Sequence, residues 1–146
     1  MIYIGIDTGV NTGIAVWDNR KRSLLLVKTM KIHKAMDIVK SYAEQYKTGC
    51  GERVIVRVED PRQRKWFGTE RMSREEERKK LQGVGSVKRD AVVWQDFLTD
   101  LGIEFEMVAP KNNMTKLSKE SFTKYTGWTQ ATNEHNRDAA MLVFGF

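Results

Sequence analysis

Four residues in this chain could together do metal and acid chemistry. Asp7 closes the apolar run Ile2-Tyr3-Ile4-Gly5-Ile6, just before Gly9. Glu59 closes a second run, Arg53-Val54-Ile55-Val56-Arg57-Val58, just before Asp60-Pro61. His135 and Asp138 stand three apart near the end, a spacing that sets both on one side of a helix. Carboxylates are hard donors that suit Mg²⁺, which binds through one or two of them plus water and phosphate oxygens. An imidazole suits transition metals better, so His135 would shift the preference towards Mn²⁺. Clustered acidic groups repel one another, and bound cations relieve that repulsion. Hydrolysis of a phosphodiester needs an activated water and a stabilised leaving oxygen, and two divalent ions about 4 Å apart supply both. Each residue alone is ordinary. A strand-end Asp usually closes a turn, a Glu before Asp-Pro usually ends a solvated strand, and most His-x-x-Asp pairs lie on the surface. Their joint placement at element ends carries the expectation.

The elements must bring those ends together. Residues 2–6 are β-branched and aromatic and predict a strand, with two more over 13–18 and 23–29. Short connections make these three an antiparallel meander. Met36, Val39, Tyr42, Ala43 and Tyr46 recur at helical spacing and predict a helix over 34–47, ended by Gly49 and Gly51. Residues 53–59 predict a fourth strand, stopped by Pro61. Ser73-Arg74-Glu75-Glu76 has the capping-box pattern and predicts the start of a short exposed helix. Ala91, Trp94, Phe97, Leu98 and Leu101 predict an amphipathic helix over 89–101, with Phe97 and Leu98 in the core and Trp94 available to a dimer interface. A fifth strand follows over 103–108, and a last helix begins near Glu134 with Thr132 or Asn133 as its cap. The order is βββαβ(α)αβ(α)α, the bracketed helices being short. It describes one α/β domain over 1–146: a five-stranded mixed sheet covered by helices on both faces. In that arrangement strands one and four are neighbours, and Asp7 and Glu59 meet at one edge.

Bulk properties narrow the class. The 146 residues suffice for one core without disulfides. The net charge of +6 suits a polyanionic partner, nucleic acid first. A single Cys excludes an intrachain disulfide, and with two His it argues against structural zinc. The opening residues lack the charged region and long apolar run of a signal peptide, and no stretch reaches the ~20 apolar residues of a bilayer span. The expectation is a cytoplasmic protein with no membrane partner.

Three motifs resemble one family. Gly5-Ile6-Asp7-Thr8-Gly9-Val10-Asn11-Thr12-Gly13 resembles the opening strand and glycine turn of RuvC-like Holliday junction resolvases. Val58-Glu59-Asp60 resembles their second acidic motif, and His135-Asn136-Arg137-Asp138-Ala139-Ala140 their closing helix. The motifs occur in family order across nearly the whole chain. Gly83-Val84-Gly85-Ser86, ahead of the amphipathic helix, is similar to the family's glycine-containing entry to its long central helix. The resemblance implies an RNase H-like fold, with Asp7, Glu59, His135 and Asp138 holding Mg²⁺ or Mn²⁺, two ions per site. It implies endonucleolytic cleavage of four-way junctions or related branched DNA, in recombination and repair, and a homodimer that sets two sites on two symmetric strands.

Candidate DNA contacts lie beside these motifs. Arg62, Arg64 and Lys65 could neutralise phosphates, and Trp66 or Phe67 could stack on an unpaired base. Lys111, Lys116 and Lys119 fall where the family's lysines approach the scissile phosphate or the backbone. Asp60 could support the site from behind. Other readings remain open at this point: an RNase H-fold nuclease for flaps or RNA–DNA hybrids, or a branched-DNA binder without catalysis. Asp7-Thr8-Gly9 with Gly13 also looks like the phosphate loop of actin-like and sugar-kinase folds, but those need two domains to enclose ATP.

Overall fold

The computed structural model describes residues 1–64 and 73–146. Its sheet has five strands: β1 (Ile2–Asp7), β2 (Asn11–Asp18), β3 (Ser23–Lys31), β4 (Val54–Glu59) and β5 (Glu104–Val108). They lie side by side in the order β3-β2-β1-β4-β5. The meander is antiparallel, while β1–β4 and β4–β5 are parallel. This is the predicted mixed sheet. Helix α1 (Ile32–Lys47) crosses from β3 to β4, and α2 (Arg74–Leu101) leads from the segment after β4 back to β5. Two shorter helices follow, α3 (Lys119–Thr126) and α4 (Glu134–Met141).

The strand residues alternate between two cores. Ile2, Ile4, Ile6, Val54, Val56 and Val58 join Ala35, Val39 and Ala43 of α1 and Trp94 and Leu98 of α2 on one face. On the other, Ala15, Trp17 and Val27 join Phe122 of α3 and Ala139, Ala140, Leu142 and Val143 in and after α4. Trp94 is fully buried, so it is a core residue of this chain rather than a surface left for a second copy.

One element differs from expectation. The short helix at Ser73 and the amphipathic helix at 89–101 are a single helix of 28 residues, about 42 Å long. Gly83 and Gly85, expected ahead of the helix, lie inside it. Each costs up to about 1 kcal/mol there. The turns between the capping box at Ser73 and the buried Ala91 are otherwise rich in Glu, Arg and Lys, which form helix readily and bridge the gap.

Helix α4 sits unusually close to the sheet. A Cβ on Gly5 would fall on the carbonyl oxygen of Ala139, and one on Gly13 on the carbonyl oxygen of His135. Two strand glycines thus form the floor on which the α4 backbone rests. Gly13 stands opposite Asp7 in the β1–β2 ladder. The N-terminus of α4 is fixed by a capping box in which Asn133 and Asn136 exchange bonds, and Thr29 of β3 donates to Asn133 at 2.7 Å. Of the two expected caps, Asn133 is the one used.

The same substitution is therefore expected to act with opposite sign at different glycines. Gly5→Ala should destabilise by about 3 kcal/mol, because neither backbone can yield. Gly83→Ala, with open space around it, should stabilise by up to about 1 kcal/mol. Urea unfolding of both variants checks this; a Gly5→Ala protein as stable as the parent would refute the close seating of α4.

Candidate metal centre

The register brings the acidic ends together. Ile6 pairs with Val58, so Asp7 and Glu59 each lie one step beyond, at the same end of two parallel strands. Asp138 comes from α4, whose seat on Gly5 and Gly13 sets it over that end. His135, one turn earlier on α4, places Nδ1 3.0 Å from Asp7 Oδ2. The predicted four residues thus form two linked groups. Asp7 and His135 are paired directly, and Glu59 and Asp138 are joined through a residue that sequence reading did not single out. That residue is Asn113, whose side-chain amide donates to Glu59 Oε2 and to the Asp138 carbonyl, both at 3.0 Å. Lys116 adds a backbone N–H to Asp138 Oδ1 at 2.9 Å, from a left-handed conformation with φ of 59°. Such a conformation is strained for a residue with a side chain.

The electrostatics are those of crowded acids. The Asp7 carboxyl is raised from its ordinary 3.8 to about 7, by burial first and then by the charges of Glu59 and Asp138, against the opposing bond and charge of His135. Glu59 is also raised, by burial and by Asp138, against the opposing Asn113 bond and Arg64 charge. Asp138 is raised by burial first, with Glu134 adding and Lys116, His135 and Arg137 opposing. Three acids that hold protons more tightly than usual lack positive charge, and hard divalent cations supply it. Donor type and charge thus fit such an ion. Among the described residues, no three His, Cys, Asp or Glu side chains are placed so that they could together hold a metal ion.

The other predicted residues divide. Arg62 is committed to the protein: its guanidinium bonds both oxygens of buried Asp60 at 2.8 and 2.9 Å, and Gln95 of α2 at 2.8 Å. Burial raises the Asp60 carboxyl, but the bonds from Arg62 and Gln63 together outweigh it and hold it below its ordinary value. Asp60 therefore anchors the turn after Glu59 to α2, a supporting role. Arg64 and Lys111 line, with Gln63 and Pro110, a cavity of about 400 Å³ next to the end of β4. Lys116 and Lys119 are exposed. Lys65, Trp66 and Phe67 lie outside the described residues.

Sheet order, crossovers and helices on both faces define an RNase H-like fold. A solved structure agrees at that level. RuvC of T. thermophilus, solved in complex with Holliday junction substrate, is similar to the chain with a TM-score of 0.52 at 16% identity, over 97% of this chain and 89% of that one. The likeness is one of fold. No protein-family model matches the chain, and no curated protein matches it. Among the described residues, no helix is long and apolar enough to cross a membrane.

The raised Asp7 carboxyl has a consequence for stability. Its folded value lies above its unfolded one, so the folded state holds a proton that the unfolded state releases. That contribution is fully present below about pH 4 and is lost as pH rises through about 7. Asp7→Asn removes the ionising group. In EDTA its thermal midpoint should exceed the parent's by several degrees at pH 8 and match it near pH 4, by scanning calorimetry. An unchanged or lower midpoint at pH 8 would refute the crowding.

Proposed function

We propose that this protein is a metal-dependent endonuclease for branched DNA, with the four-way junction as its first substrate. The observation that supports this most is the meeting of Asp7, Glu59 and Asp138 at one edge of an RNase H-like sheet. These three, with His135, would hold Mg²⁺ or Mn²⁺, two ions per site. Bound ions supply an activated water and a stabilised leaving oxygen. The chain's own residues do the rest. Asn113 and Lys116 hold Glu59 and Asp138, and His135 shares a hydrogen bond with Asp7. Arg64, Lys111, Lys116 and Lys119 would supply positive charge for the phosphates, so binding weakens as salt rises. Lys65, Trp66 and Phe67, next in sequence after Arg64, would add a further charge and two aromatic rings for stacking. A junction presents two symmetric strands, and a homodimer would offer two sites for them.

The test is cleavage of a synthetic four-way junction beside duplex, flap and RNA–DNA hybrid controls, with Mg²⁺, Mn²⁺ or EDTA. Paired symmetric nicks are expected in the junction, none in EDTA. Asp7→Asn, Glu59→Gln and Asp138→Asn should each slow cleavage by at least about 10³-fold, with junction affinity kept in gel shifts. Cutting of a control substrate alone would reassign the substrate within the nucleases. Junction binding with no cutting under any metal would make the protein a non-catalytic binder.

A further inference from the structure

We propose that Asn113 is the positioning residue of this site, the side chain that locks the Glu59 carboxylate to α4. The metal half of its test rests on the reading above; the other half does not. Asn113 follows the single turn Pro110–Asn112 and lies outside every helix and strand, so no regular element requires an amide there. Its nitrogen donates twice, to a carboxylate oxygen of β4 and to a backbone carbonyl of α4. Those partners settle which way the amide points. The reverse orientation would set its oxygen against the Asp138 carbonyl, which can never donate, and against the Glu59 carboxylate, which cannot donate while ionised. The cost falls on the other end, where Oδ1 is buried without a hydrogen-bond partner among the described residues. A buried acceptor left unmade is unfavourable, so the orientation is held by what the nitrogen does.

The same segment secures the second carboxylate. Three residues on, the Lys116 N–H meets Asp138 Oδ1 from a conformation that Lys rarely adopts. Arg137 of α4 reaches back to the Leu117 carbonyl at 2.8 Å and fixes the segment to the helix. Residues 113–117 are thus a clamp across β4 and α4, and Asn113 is its only side chain on Glu59 among the described residues. A metal-binding carboxylate depends on such partners for its orientation, and their loss typically weakens metal binding 10- to 100-fold.

Two measurements test the clamp. In ¹⁵N–¹H spectra without metal, the Asn113 side-chain amide protons should exchange at least about tenfold more slowly than those of exposed Asn112, and Glu59→Ala should speed exchange of the proton that faced Glu59 while the one on the Asp138 carbonyl stays slowed. Calorimetric titration with Mn²⁺ should then show affinity reduced by about tenfold or more in Asn113→Leu and in the smaller Asn113→Ser, with thermal midpoints of the metal-free proteins close to the parent's. If the Leu variant fails to fold, the Ser variant decides. Fast exchange in the parent, or unchanged Mn²⁺ affinity in a folded Asn113→Ser, would overturn the proposal. A parent that binds no Mn²⁺ would overturn the metal reading instead, while the exchange rates would still decide whether the clamp exists.

Discussion

The site depends on one steric allowance, the absence of a side chain at Gly5 and Gly13. Without it, the α4 backbone could not rest on β1 and β2, and His135 and Asp138 would be lifted away from Asp7. The constraint is local, but its reach is long. It joins a helix at the end of the chain to the first two strands, more than a hundred residues earlier. Ala139 and Ala140 complete the fit from the helix side, since larger side chains would undo the approach the glycines permit.

Seating α4 creates a second problem, which the loop after β5 solves. Three carboxylates from β1, β4 and α4, partly withdrawn from solvent, repel one another at one end of the sheet, and none is neutralised by a paired Lys or Arg at bonding distance among the described residues. Hydrogen bonds do that work instead. Asn113 and the Lys116 N–H donate to the acids without bringing a charge of their own, so the site keeps its negative potential while its geometry is held. Asp60, Arg62 and Gln95 do the opposite one residue away. There an acid and a guanidinium neutralise each other, and the pair serves only to fix the turn that follows Glu59.

Much of this was legible in the sequence because its signals are local. Alternation of apolar residues marked the strands, and the order of elements implied that β1 and β4 would be neighbours. That order alone sets Asp7 beside Glu59, at the same end of two paired strands. The length of α2 was less legible, because two glycines normally mark a break and only the run of good helix formers around them carries the helix through. Asn113 was illegible for a different reason. It belongs to a polar stretch in which nothing separates one Asn from its neighbours, and its role arises from partners 54 residues before it and 25 after. Arg62 shows the converse: a basic residue beside an acidic motif invites a phosphate-contact reading, and only its three-dimensional partners reveal a structural bond.

The distribution of charge then ties binding to chemistry. A chain with net charge +6 attracts DNA over its surface, yet the edge where Asp7, Glu59 and Asp138 meet repels the phosphate that would have to approach it. Basic residues near this edge, Arg64 and Lys111 beside the cavity and Lys116 next to Asp138, are arranged around the acids rather than upon them. On the proposed reading, the surface charge can hold DNA nearby without metal, but only a cation between acid and phosphate can close the final distance. Affinity and cleavage should therefore respond to different ions: affinity falls with monovalent salt, which competes at the rim, and cleavage rises with divalent ions, which act at the centre.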